Sequence, residues 1–87
     1  MAWLVEFTDE AEKDFARLDK TIQRRIFRYL YERIANAEDP RDFGKGLQHE
    51  LVGLWRYRVG DYRILCSIQD ELTVLVVEIG HRSVVYD

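Results

Sequence analysis

Residues 54–68 read LWRYRVGDYRILCSI, which is two β-rich runs around a short break. The runs are residues 54–59 and 62–68, and Gly60 and Asp61 lie between them. A two-residue break that contains glycine is typical of a tight turn between antiparallel strands. The stretch therefore predicts a β-hairpin around which the other elements are arranged.

The predicted hairpin has one apolar face and one cationic face. Side chains alternate between the faces of a strand, so Trp55 and Tyr57 point one way while Arg56 and Arg58 point the other. A two-residue turn sets Arg58 opposite Arg63, which places Arg63 on the cationic face as well. Arginines gathered on one face of a sheet suggest a surface that holds an anion.

One strand and two helices are predicted before the hairpin. Alternation from Trp3 to Phe7 indicates a strand, and Thr8 or Asp9 offers an N-cap for a first helix that ends near Leu18. Residues 19–21 offer a break or a cap before a second helix. The apolar residues at helical spacing are Ala11, Phe15 and Leu18 in the first helix, and Ile22, Ile26, Tyr29, Leu30 and Ile34 in the second.

Residues 36–46 contain the only proline and two glycines, and this composition predicts a loop. A second turn is expected at residues 69–71, and the nearly continuous apolar run 72–79 indicates a central strand buried on both faces. The order β-α-α-β-β-β predicts an α+β domain over residues 1–87. Its two helices pack on one face of a small, mostly antiparallel sheet, and the other face is expected to be concave and partly open.

The cationic side chains fall into two groups. Arg56, Arg58 and Arg63 are expected on the open face, within reach of Arg82, which follows the central strand. The alternative to an anion-binding surface is that these arginines pair with Asp61, Glu78 and Glu50.

The second helix carries the other group of cationic side chains on its outer face, namely Lys20, Arg24 and Arg28, with Arg25 nearer the flank. Arg28 is also spaced to pair with Glu32, and an ordinary solvated face is the alternative there.

Composition narrows the class of protein. The net charge of −3 does not indicate nucleic-acid binding. However, residues 17–33 carry a charge of +4 and residues 54–63 carry +2, which permits local basic patches.

The lone Cys66 is interpreted as a reduced core residue. No signal peptide or membrane-spanning run is predicted, so a cytoplasmic protein is expected, and His49 and His81 lack the neighbours that a metal site needs.

The hairpin LWRYRVGDYRIL (54–65) and the later segment VEIGHRSVVY (77–86) resemble the RelE/ParE toxin superfamily, and more narrowly its RelE branch. The similarity covers the whole chain, including GKGL at residues 44–47. The tail with Tyr86 separates the branches, since gyrase-directed ParE-like toxins typically lack that tyrosine.

This resemblance implies a ribosome-dependent endoribonuclease that cuts mRNA without a metal or cofactor and that a cognate antitoxin holds inactive. It implies that Arg56 and Arg58 occupy basic positions of the site, that Arg63 and Arg82 stabilise the phosphate, and that Tyr86 stacks on or orients the base. Lys20, Arg24 and Arg28 would meet ribosomal RNA. Two alternatives stay open, a ParE-like gyrase inhibitor and an inactive RelE-like protein that only binds the antitoxin.

Overall fold

The computed structural model describes residues 2–69 and 72–83 of the chain. Its strands are β1 (Leu4–Phe7), β2 (Lys45–Gly46), β3 (Trp55–Val59), β4 (Tyr62–Gln69) and β5 (Thr73–His81). Its α-helices are α1 (Asp9–Ala16) and α2 (Lys20–Arg28), and a π-helical segment, Tyr29–Ile34, continues α2. Two helices on a mostly antiparallel sheet are the predicted α+β architecture, which is confirmed.

The five strands form one sheet in the order β1-β5-β4-β3-β2. β1 runs parallel to β5, and every other neighbouring pair is antiparallel. The predicted hairpin joins β3 to β4 with Arg58 opposite Arg63. Gly60, the first residue of its turn, has φ +59°, which is the glycine conformation of a type II′ hairpin turn.

Side-chain caps start both helices where the sequence predicts them. The Thr8 hydroxyl accepts the Ala11 N–H at 3.1 Å, and the Asp19 carboxylate accepts the Ile22 N–H at 3.0 Å. These bonds satisfy amide groups that have no partner inside the helix. α1 ends at Ala16, two residues before the predicted end at Leu18.

The core lies between the helices and the apolar face of the sheet. Tyr57, Ile64 and Cys66 are fully buried on that face, so the predicted alternation of the hairpin is confirmed. The buried helical residues are Ala11, Ile26, Leu30 and Ile34, with Phe15, Leu18, Ile22 and Tyr29 packed against them. Burial raises the pKa of the Cys66 thiol, which therefore stays protonated in the core.

A β-bulge in β5 keeps the apolar side chains of this strand on the core face. Leu65 pairs with Glu78 but Cys66 pairs with Val76, so β5 has one extra residue at this point. Because of this extra residue, Ile79 faces the core together with Val76 despite their odd spacing. Past the end of β1, the carboxylate of Asp14 accepts the Ile79 N–H at 3.1 Å and ties α1 to β5.

Two further details differ from the sequence prediction. The second helix does not continue in α geometry to Ile34, because the Ala35 N–H donates to the Leu30 carbonyl five residues back, at 2.9 Å. The predicted loop 36–46 is not entirely irregular, because its last two residues form β2 against Trp55 and Arg56. That short pairing depends on a contact distant in sequence, so local composition does not reveal it.

None of the helices in the described residues is long and apolar enough to cross a membrane. Of the turn expected at residues 69–71, Gln69 is the last residue of β4, and Asp70 and Glu71 lie outside the described residues. Residues 84–87, and with them Tyr86, also lie outside.

Candidate functional site

Two of the three hairpin arginines are shielded from solvent. Arg56 is 9% exposed and Arg63 is 2% exposed, whereas Arg58 is an exposed residue. The expectation that all three line an open face is therefore wrong for Arg56 and Arg63, although all three point to the predicted side of the hairpin. Leu65, next on that face of β4, is buried as well, so this side of the sheet is covered at its centre.

Arg63 holds the turn of the hairpin. Its Nη1 donates to the carbonyls of Gly60 and Tyr62, each at 3.2 Å. A buried guanidinium is tolerated because its N–H groups meet acceptors, and here the acceptors are turn carbonyls that would otherwise need water. Arg63 therefore has a structural role in shaping the tip where the other candidate residues lie.

Arg58 and Arg82 supply the exposed positive charge at the tip. Arg58 lies opposite Arg63, and Arg63 lies opposite Gly80, two residues before Arg82. The Arg82 N–H donates to the Asp61 carbonyl at 2.8 Å, and its Nε is 4.0 Å from the Asp61 carboxylate. The predicted alternative partner Asp61 is thus in place, but at a distance and exposure that leave Arg82 accessible to an anion.

His81 is an exposed residue held in a fixed orientation. The Ser83 N–H donates to its Nδ1 at 3.2 Å, and the Tyr62 ring contacts its ring edge-on at a centroid distance of 5.5 Å. The lone-pair side of Nδ1 is therefore occupied by the turn that follows β5. His81 is thus the exposed last residue of β5, held against the residues that follow the strand.

The outer face of α2 carries the predicted basic residues in exposed positions. Lys20, Arg24 and Arg28 are all exposed. The predicted pairing of Arg28 with Glu32 is present, with Nε 3.7 Å from the carboxylate. Both side chains are largely solvated, so the pair adds little stability.

An aromatic pair on this outer face was not predicted. The rings of Phe27 and Tyr31 stack with centroids 4.3 Å apart, and Phe27 is 53% exposed. Their spacing of four residues was the available signal, since residues at that spacing are neighbours on a helix surface. The basic face of α2 thus also offers apolar contact area.

A second basic site lies between α2 and β3, and the sequence did not predict it as a site. A groove of about 620 Å³ opens there, and we call it the arginine groove. Its lining residues are Arg25, Arg28, Tyr29, Glu32, Arg33, Phe43 and Val59. They come from three separate parts of the chain, which is why no local motif reveals the groove.

Aromatic rings hold a cation in the arginine groove. The Arg33 guanidinium lies 5.9 Å from the Tyr29 ring centre and 5.5 Å from the Phe43 ring centre. Such contacts orient a guanidinium over aromatic faces while leaving its edge free to donate hydrogen bonds. Burial raises the pKa of Tyr29, so its hydroxyl is neutral and the groove keeps its positive charge near neutral pH.

Residues 2–69 and 72–83 contain no cluster of three or more His, Cys, Asp and Glu side chains that could hold a metal ion. Arg58 and Arg82, the exposed cations at the tip, carry guanidinium groups. Arginines can stabilise negative charge at a phosphate, but they do not accept a proton near neutral pH.

The fold has counterparts among known toxins. The family model of the ParE toxin of the type II toxin–antitoxin system parDE matches residues 5–86. The chain belongs to this family of toxins and, with it, to the RelE/ParE toxin superfamily. The predicted superfamily is thereby confirmed.

Individual relatives carry RelE-type names. The chain is 32% identical to the toxin RelG of Mycobacterium tuberculosis, over 99% of this chain and 98% of that protein. In the crystal structure of the toxin–antitoxin complex RelBE2 from Mycobacterium tuberculosis, one chain matches with a TM-score of 0.86 and 31% identity, covering 95% of this chain and 94% of that one. The isolated RelE toxin of E. coli matches with a TM-score of 0.72 and 19% identity, covering 92% and 84% of the two chains, a similarity of fold alone.

Proposed function

We propose that this toxin is a ribosome-dependent endoribonuclease that cleaves mRNA, and that a cognate antitoxin neutralises it. The main support is the placement of Arg58 and Arg82 at one exposed end of the sheet, on a tip that the buried Arg63 holds in shape. The similarity to toxins named RelG and RelE favours the RelE type of activity. The similarity to a toxin–antitoxin complex supports an antitoxin as partner.

In the proposed reaction the 2′-hydroxyl of the message attacks the adjacent phosphorus. The new O2′–P bond forms as the P–O5′ bond breaks, the 2′-hydroxyl proton passes to a base and O5′ takes up a proton, which leaves a cyclic phosphate and a free 5′-hydroxyl. Negative charge builds up on the phosphorane oxygens during the attack. Arg58 and Arg82 are suited to stabilise that charge, because fixed cations act most strongly where charge develops in the transition state.

The hairpin arginines have different tasks in this mechanism. Arg63 positions the tip through the turn carbonyls, and Arg56 contributes positive potential from a buried position. Neither acts as the general base, because an arginine pKa stays above about 12. Tyr86 is proposed to stack on or orient the base, and Lys20, Arg24 and Arg28 to contact ribosomal RNA.

The test is cleavage of message on translating ribosomes. Purified wild-type toxin added to a translation reaction should produce cuts within codons of the ribosome-bound mRNA, mapped by primer extension. Arg82→Ala and Tyr86→Ala should abolish the cuts while the thermal unfolding temperature stays near that of the wild type. Lys13→Ala, an exposed cation on α1, is the control and should cut normally. Intact message at toxin concentrations that stop growth would refute the proposal.

A ParE-like gyrase inhibitor is the second candidate, because the family model that matches the chain is described as a ParE toxin. It predicts DNA breaks when the toxin is added to gyrase and supercoiled plasmid, with mRNA left intact. Tyr86→Ala separates the candidates, since it should abolish mRNA cleavage but leave gyrase poisoning unchanged.

A further inference from the structure

Strand β5 carries a carboxylate on the side of the sheet that carries Arg63. Glu78 pairs with Leu65 of β4. Gly80 pairs with Arg63, two residues before Leu65 in the same strand. Paired residues share a face of the sheet, and so do alternate residues of one strand, which places Glu78 and Gly80 on the side of Arg63. The intervening Ile79 is buried in the core and Glu78 is exposed, as this alternation requires.

The Glu78 carboxylate has no ion pair and no hydrogen bond with any described residue. The pairing of Glu78 with the hairpin arginines, which the sequence left open, is therefore absent from the described part of the chain. Two charged groups face this stretch of β5, namely Arg63, diagonal to Glu78 on β4, and Asp14 of α1, whose carboxylate accepts the Ile79 N–H at 3.1 Å. Both Glu78 oxygens can thus accept a hydrogen bond from a ligand.

Gly80 leaves a gap between Glu78 and Arg82. Each residue of a strand rises by about 3.4 Å, so Gly80 lies about 7 Å beyond Glu78 along β5. Arg82 is two residues further, where its N–H donates to the Asp61 carbonyl of the hairpin turn at 2.8 Å. No side chain at Gly80 fills the space between the carboxylate and the guanidinium. A phosphate above Gly80 would have a proton acceptor on one side and a cation on the other.

We propose that Glu78 is the general base of the cleavage reaction and takes the proton of the attacking 2′-hydroxyl. The inference rests on the proposed function, which requires such a group. Arg58 and Arg82 can stabilise the charge of the phosphorane, but arginines do not take up a proton near neutral pH. An ionised carboxylate does so and is an ordinary general base of enzymes.

The protons and electron pairs balance in this step. The Glu78 carboxylate takes the 2′-hydroxyl proton as O2′ uses an electron pair to form its bond to phosphorus. The P–O5′ bond breaks with its electron pair on O5′, which takes a proton from water. The hydroxide left by that water then receives the proton held by Glu78. The carboxylate is restored, and the products are the cyclic phosphate and the 5′-hydroxyl.

Asp61 is the other carboxylate beside the exposed arginines. It already lies 4.0 Å from Nε of Arg82, so a proton on Asp61 would remove the attraction between the two side chains. Protonation of Glu78 breaks no ion pair with a described residue. Glu78 is therefore the better placed acceptor, and Asp61 serves as the comparison.

The experiment measures single-turnover cleavage of mRNA on programmed ribosomes, with the full-length toxin in excess. Glu78→Gln keeps the shape of the side chain but cannot accept the proton, so it should lower the maximal cleavage rate constant by at least about 100-fold. The toxin concentration that gives half the maximal rate should stay within about twofold of the wild-type value. Glu6→Gln is the matched control and should cut at the wild-type rate. Glu6 is an exposed glutamate of β1 that also faces away from the core, since its neighbour Val5 is buried.

The sign of the effect separates a base from an acidic neighbour. A carboxylate that only repels the phosphate slows the reaction, so replacing it by an amide would leave cleavage unchanged or make it faster. Either result with Glu78→Gln would overturn the proposal. So would a loss of rate shared equally by Glu6→Gln.

The pH profile identifies the titrating group. At acid pH the wild-type rate constant should fall about tenfold per pH unit as the base becomes protonated, and Glu78→Gln should lack this fall. A variant that keeps the fall, when Asp61→Asn or Asp14→Asn removes it, would assign the proton to another carboxylate and overturn the proposal.

Failure of this inference differs from failure of the proposed function. Wild-type cleavage with an unimpaired Glu78→Gln variant would overturn the base and leave the nuclease standing, whereas a wild type that leaves ribosome-bound message intact would overturn both. Thermal unfolding checks the fold of each variant, and the exposed Glu78 side chain should be replaced without a large change in melting temperature.

Discussion

Arg63 and Arg82 belong to the same candidate site, yet replacing Arg63 by alanine should destabilise the protein far more than replacing Arg82. Arg63 is 2% exposed, and its Nη1 donates hydrogen bonds to two turn carbonyls, each at 3.2 Å. Counted as one charged hydrogen bond, this contact contributes about 2 kcal/mol. The two buried methylenes beyond Cβ, which alanine lacks, add about 2 kcal/mol at roughly 0.8 kcal/mol each. Arg63→Ala should therefore lower the free energy of unfolding by about 4 kcal/mol.

Arg82→Ala is the internal comparison. Arg82 is exposed, its 4.0 Å contact with Asp61 is worth less than about 0.5 kcal/mol, and its backbone bond to Asp61 survives the substitution. Urea unfolding followed by circular dichroism gives both values, and for a domain of this size Arg63→Ala should lose more than about 15 °C in melting temperature. If the two variants differ in unfolding free energy by less than about 1 kcal/mol, Arg63 does not hold the turn as described.

Three further predictions concern packing and pH. Gly44→Ala should destabilise by at least about 2 kcal/mol more than Gly53→Ala in urea unfolding, since both have positive φ but only the Gly44 Cβ meets the backbone of β3. Equal losses would mean that the close approach is unimportant. Tyr57→Phe should cost about 1 kcal/mol, because it leaves the Pro40 carbonyl without its 2.8 Å donor, and an unchanged melting temperature would contradict that bond. The raised pKa of the buried Cys66 contributes stability below its ordinary value of 9.0 and loses it as the pH rises. At pH 10.5 the wild type should therefore have lost about 2 kcal/mol more than Cys66→Ala, relative to pH 8, and parallel curves would refute this.

The candidate site illustrates where prediction from sequence stops. The alternation of the hairpin placed Arg56, Arg58 and Arg63 on one side correctly, and the two-residue turn placed Arg58 opposite Arg63. Alternation is a property of the extended backbone, so it can be predicted without a partner strand. Which of these arginines is exposed depends on what covers the sheet, and the structure separates Arg58 from the two buried residues.

The sequence by itself determined the order of the elements, the hairpin and the split between apolar and cationic faces. These features follow from local periodicity, from caps such as Thr8 and Asp19, and from the glycine of a tight turn. Tertiary structure alone decided that Arg63 binds turn carbonyls and that an arginine groove lies between α2 and β3. Both depend on side chains that meet only after the helices and the chain around Phe43 have packed against the sheet, because the burial of a charge is a property of its surroundings.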